Sequence, residues 1–176
     1  MTIPYLALSK PNTQKKLSSM DAIIMPSNIS LIETLRQDFP ELTFHAGHAF
    51  EWDSSRRTIR YDSDDNDYEA HLLHELSHAV LNHNKYDKDI DLIGLERDAW
   101  QYARLTLAPL YHVTVDADTI QDDMDTYREW LHARSTCPNC EASGIQIKKR
   151  TYKCVACQAT WRVNEARVCA LRRYVN

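Results

Sequence analysis

Glycine is nearly missing from this chain, at three in 176 residues. Phosphate-binding loops and dinucleotide folds need clustered glycines so that backbone can approach a pyrophosphate, so a nucleotide site is not expected. No apolar run is long enough to cross a bilayer. The first twenty residues are polar and mixed, without the apolar centre of a secretory signal, which leads to the expectation of a cytoplasmic protein with no membrane contact. No segment repeats another. The acid-rich stretch Asp62 to Asp67 lacks the glycine and closing glutamate of a calcium loop. It reads as a solvated loop whose charge favours the N-terminus of the next helix.

Among what is present, His74-Glu75-Leu76-Ser77-His78 carries the most chemistry. Histidines four apart on a helix lie one turn apart on one face, so both imidazoles can reach one ion with the intervening carboxylate alongside. That carboxylate can take a proton from water polarised by the metal. Asn66 and Glu69 form a capping-box pattern that starts a helix at about Asp67 and carries it to Asn82. Leu72, Leu73, Leu76, Ala79 and Val80 make its apolar stripe, with His71, His74 and His78 on the adjoining face. His71 reads as a surface or supporting residue rather than a ligand.

A catalytic zinc usually takes three protein ligands and keeps one position open. A polar loop follows His78, and then a second helical pattern over Leu95 to Leu105, ending near Pro109. Glu96, Ala99, Trp100 and Ala103 share a face whose two alanines allow close packing on the first helix. Asp98 points about 160° away from Glu96 round that axis. Glu96 is therefore the preferred third ligand over Asp98.

The segments Leu73 to His83 and Glu96 to Ala103 resemble the ImmA/IrrE group of small gluzincin metallopeptidases. The resemblance spans about residues 44 to 110. It implies that His74, His78 and Glu96 bind zinc and that Glu75 is the general base. One departure stands out. Where related gluzincins often place Asp or Asn to orient a metal histidine, this chain has Trp100. The resemblance also implies a protein or peptide substrate, often a gene regulator.

Before the metal helix, Phe44, Ala46, His48, Phe50 and Trp52 alternate as one strand. Asp53 to Arg56 read as a turn, and Ile59 and Tyr61 as inward positions of a partner strand. Thr58 to Tyr61 could offer its edge to an extended substrate, or the hairpin could only cover the core.

The second strong signal is Cys137-x-x-Cys140 followed by Cys154-x-x-Cys157. Four thiolates at this spacing close a tetrahedral structural zinc site. With a short hairpin between the pairs, the segment resembles a zinc ribbon, and in combination with the histidine motif it is similar to the tail of SprT-like proteases, which associate with DNA. Those proteins use a third histidine, which Glu96 replaces here. Cys169 is left over and reads as a small buried hydrophobe.

Charge divides between the two parts. From Arg134 onward there are nine Lys and Arg against two acids, a net +7, whereas residues 1–133 carry −11. Lys148, Lys149, Arg150, Lys153, Trp161 and Arg162 are candidate nucleic-acid contacts, the cations for phosphates and the aromatic for stacking. The expectation is an α+β protein. It comprises a leader (1–26), a small zincin-like metallopeptidase domain (27–133), a four-cysteine zinc ribbon (134–165) and a C-terminal helical tail (166–176). It would hold one catalytic and one structural zinc, act on protein or peptide, and touch DNA through the basic ribbon. The alternative is a DNA-binding regulator or protein adaptor whose metal core is inactive.

Overall fold

The computed structural model describes residues 30–165 and 170–175. The expected leader and Cys169 lie outside the described residues. The architecture is mixed α+β, and the described residues form two sheets and two separate hydrophobic cores.

Helix α1 (Leu31–Asp38) opens at Ser30, whose backbone N–H is met by Glu33 at 3.2 Å in a capping box. Three strands follow: β1 (Thr43–Ala46), β2 (Glu51–Asp53) and β3 (Thr58–Tyr61). The β2–β3 turn is held by the Asp53 carboxylate, which accepts from the N–H groups of Ser55 and Arg56 at 3.0 and 3.2 Å. The expected single strand from Phe44 to Trp52 is in fact two. The chain bends at 47–49 and passes from one side of β3 to the other, so β1 pairs parallel to β3 and β2 antiparallel to it. A continuous alternation of apolar residues cannot reveal such a crossing. Its consequence is functional: β3 is central, so Thr58 to Tyr61 has no free edge for a substrate. An open edge belongs to β2.

Helix α2 (Tyr68–Val80) is capped at Asp67, one residue later than the Asn66 pattern implies. Leu72, Leu73 and Leu76 are fully buried against Ile59 and Leu35. Helix α3 (Asp89–Tyr102) packs on α2 through Ala99, and Ala103 continues that face in a π turn (Ala103–Leu107), both alanines with no exposed surface. The helical path then runs on into α4 (Ala108–Tyr111) instead of ending at Pro109. Proline lacks an N–H and crowds the carbonyl four residues back, and a wide turn before it relieves both. The long α5 (Ala117–Ser135) leads into the second unit.

That unit is a four-stranded antiparallel sheet in the order β4 (Gly144–Lys148), β5 (Thr151–Cys154), β6 (Thr160–Val163), β7 (Arg173–Val175). Its core is Tyr152, Trp161 and Val163 with Cys137 and Cys154. The expected helical tail is corrected at Arg173–Val175, which is a strand with Tyr174 opposite Arg162 and Val175 opposite Trp161. The Asn164 side chain fixes this return, donating to Ala170 O at 2.7 Å and accepting from Arg172 N at 2.9 Å. A helix of that length alone would be marginal, whereas a sheet edge was available.

Candidate metal centres

Among the described residues, two clusters of metal-ligating atoms form, and both were legible in the sequence. In each, every ligand atom lies within 4.8 Å of the others. In the first, α2 supplies His74 and His78 and α3 supplies Glu96. His74 Nε2 stands 3.1 Å from Glu96 Oε2 and 3.1 Å from His78 Nε2, and His78 Nε2 is 3.3 Å from Glu96 Oε2. Ligands about 2.05 Å from a tetrahedral ion would stand about 3.3 Å apart. Two ring nitrogens aimed at each other and at a carboxylate oxygen are poor partners without a cation between them. All three residues are buried. Burial disfavours ionised Glu96, but hydrogen bonds from His74 and His78 outweigh it and hold the carboxyl at about 2. Burial pushes the His74 imidazole down, towards the neutral form that ligates.

Glu75 lies half-buried beside the triad. Burial raises its carboxyl to about 7, against the pull of nearby His78 and the Trp52 backbone N–H. A cation in the triad would draw it back down. An open cleft of about 270 Å³ meets these groups, bordered by Trp52 of β2, Glu75, His78, Glu96 and Tyr127 of α5. Sequence reasoning missed Tyr127, since nothing local says that α5 reaches the cleft. Asp98 points to solvent and pairs with Arg97 at 2.9 Å. His71 stands between Asp65 and Asp123, 3.4 Å from each, outside the triad.

Neighbouring rings orient the two triad histidines. His78 Nδ1 meets His83 Nδ1 at 3.0 Å. Burial lowers the His83 pKa, so a neutral ring is available to donate or accept there. His83 is itself held: its N–H donates to His78 O at 2.9 Å, and its carbonyl accepts from Trp52 Nε1 at 2.9 Å. His74 has no such partner, its buried Nδ1 being unbonded. Its ring stacks on Trp100 instead, 4.3 Å between centroids at 28°. Trp100 thus orients His74 by its face.

The second cluster is Cys137, Cys140, Cys154 and Cys157. Sγ separations of 3.6 Å (Cys137 to Cys157) and 3.5 Å (Cys140 to Cys154) leave all four as free thiols. Four sulfurs about 2.3 Å from a tetrahedral ion stand about 3.8 Å apart. Backbone N–H groups of Cys157 and Ala156 point at Cys154 Sγ, at 3.4 and 3.3 Å, and bring that thiol well below its ordinary value despite burial. The knuckle thereby favours the thiolate of Cys154.

No protein-family model, curated protein or solved structure matches this chain. The site therefore stands on its own geometry. Both donor sets fit zinc: two imidazoles and a carboxylate with one open side, and four thiolates in a closed shell.

The candidate nucleic-acid residues fare unevenly. Trp161 is fully buried and donates its indole N–H to Arg134 O at 2.9 Å, so it is corrected from a stacking platform to a core residue. Tyr152 is buried against it, ring centroids 5.7 Å apart. An aromatic beside basic residues reads alike whether it faces in or out, and here the alternation of β5 and β6 turns both inward. Lys148, Lys149, Arg150 and Arg162 are exposed and Lys153 is half-buried, with Arg150 bound to Glu165 at 2.8 Å. Among the described residues no helix is long and apolar enough to cross a membrane.

Proposed function

We propose that the chain is a zinc-dependent metallopeptidase of small zincin-like build, a gluzincin of the ImmA/IrrE kind with an SprT-like four-cysteine ribbon. The convergence of His74, His78 and Glu96 on one point, with Glu75 beside it in an open cleft, carries this reading. The triad would hold a catalytic zinc and the four cysteines a structural one. Zinc bound at the triad supplies a Lewis acid that polarises a carbonyl and acidifies water. The chain's own residues do the rest. Glu75, adjacent to that position, accepts a proton from the attacking water and returns it to the leaving amine. The Trp52 N–H, on the open side of β2, steadies the Glu75 carboxylate. The remaining edge of β2 gives main-chain hydrogen bonds to an extended peptide with little demand on its sequence. The ImmA/IrrE likeness adds a regulatory protein, free or bound to nucleic acid, as the proposed substrate class. Four thiols kept for metal fit a reducing, cytoplasmic setting.

Glu75→Gln is the decisive substitution. It removes the base and keeps all three ligands, so zinc content should stay at two ions per chain while peptide hydrolysis drops about 10²–10⁴-fold. Hydrolysis unchanged by Glu75→Gln would exclude the mechanism. Zinc bound at both sites but no hydrolysis of any peptide by the unaltered chain would favour the alternative, a DNA-binding regulator or adaptor with an inactive metal core.

A further inference from the structure

The first turn of α3 is built partly from the ribbon. Asp89 opens that helix, and its backbone N–H is one of the donors a helix N-terminus leaves unmatched. The acceptor is Gln146 Oε1 on β4, at 2.6 Å and 57 residues away. The Asp89 carboxylate is buried as well. Its Oδ2 accepts from Arg134 Nε at 2.5 Å and from the Tyr152 hydroxyl of β5 at 2.5 Å. Arg134 is in turn fixed to the ribbon, its Nη1 donating to Asn164 O at 2.8 Å and its carbonyl accepting from Trp161 Nε1. Gln146 and Tyr152 are direct partners across the β4–β5 ladder, and Tyr152 is two residues from Cys154.

Glu96 lies seven residues after Asp89 on the same helix. Seven residues turn the helix through about 700°, so the two carboxylates share a face about 10 Å apart along the axis. One end of that face meets the ribbon and the other meets the metal triad. Among the described residues the ribbon core holds five buried residues, two of them cysteines, a small core whose shape an ion at the four thiols would reinforce.

We propose that the ribbon is a positioning device for Glu96: by capping and clamping the first turn of α3 it fixes where the third ligand stands, so that loading the four-cysteine site tightens metal binding at His74, His78 and Glu96. Asp89, Arg134, Gln146 and Tyr152 are positioning residues in this scheme. The inference rests on the triad being a metal site but not on hydrolysis.

The test is cobalt(II) binding to the full-length chain, since thiolate ligation gives a strong near-ultraviolet charge-transfer band that imidazole and carboxylate ligation lacks, so both sites are read in one titration. Tyr152→Phe removes a single hydroxyl. It should leave the thiolate band intact and weaken cobalt at the triad about tenfold, the lower end of what outer-shell partners contribute. Asp89→Asn should weaken it further, and Cys140→Ser, which opens the ribbon's own site, at least as much. In a Glu96→Gln background Tyr152→Phe should have no further effect on the two-histidine site, because the effect travels through Glu96. Triad affinity unchanged to within about twofold in Tyr152→Phe, with the thiolate band present, overturns the inference alone. No cobalt at the triad in the unaltered chain overturns it together with the metal site itself.

Discussion

His83 shows how much of a metal centre can hang on one side chain that is not a ligand. Its ring touches His78 Nδ1, and its backbone is tied to both His78 and Trp52. The contact fixes which nitrogen of His78 faces the triad. His83→Ala should therefore weaken zinc at the histidine site by about 10–100-fold without unfolding the chain, as chelator competition would read. His71, one turn before His74, has a different job. A hydrogen bond to Asp123 raises its pKa against the effect of burial, with Asp123 and Asp65 adding attraction. The folded chain thus holds that proton more tightly than the unfolded chain. The resulting stability is fully present below about pH 6.5, the unfolded value, and is lost as pH rises through the folded value. Asp123→Asn should lower the Tm at about pH 5.5 and have much less effect at about pH 9. An equal loss at both pH values would mean that the pair acts by packing. The triad of His74, His78 and Glu96 was legible because helical spacing pairs the two histidines, while the phase of the second helix and the family resemblance singled out Glu96. The supports were not, because His83 reaches back only through the left-handed turn at Asn82, and Trp100 acts by stacking.

At the scale of elements, the sequence reads well where a pattern is local and poorly where a partner is remote. The span of α2, the β4–β5 hairpin between the cysteine pairs, and the capping box of α1 all follow from short-range rules. The β1–β2 break, the early start of α3 at Asp89 and the strand Arg173–Val175 do not, since each depends on a segment far away in the chain: β3, Gln146 and β6 respectively. Gly144 is a further case. A Cβ there would run into the Trp161 ring and stand 2.9 Å from Lys153 O, so the glycine exists to let β4 pass over the ribbon's largest core side chain. Gly144→Ala should destabilise the ribbon by about 1–3 kcal/mol, the usual cost of overfilling a packed core. A change in Trp161 fluorescence would report the loosening before the helical unit unfolds. A variant as stable as the original would mean that the indole has room to move.

For the whole molecule, the contrast between a −11 first part and a +7 second part resolves into two separate uses of charge. Arg134 is buried on Asp89, Arg150 is paired with Glu165, and Arg173 donates to the carbonyls of Ala133 and Thr136, so these cations serve the protein itself. Lys148, Lys149 and Arg162 face outward and form no ion pair among the described residues. With Trp161 and Tyr152 buried, a nucleic acid on this surface would be held through phosphates and not by stacking on those two rings. The prediction is weak, sequence-independent binding, with a log–log salt slope of about 0.9 per duplex phosphate neutralised. Charge reversal at Lys148, Lys149 and Arg162 together should lower both affinity and slope and leave cleavage of a free peptide unchanged, because none of the three borders the metal cleft. Titration of duplex and single-stranded DNA at several salt concentrations reads both quantities. If the unaltered protein binds no DNA even at low salt, the outward cations belong to a protein-binding face, and the ribbon's remaining role is the inward one, holding α3 and its glutamate in place.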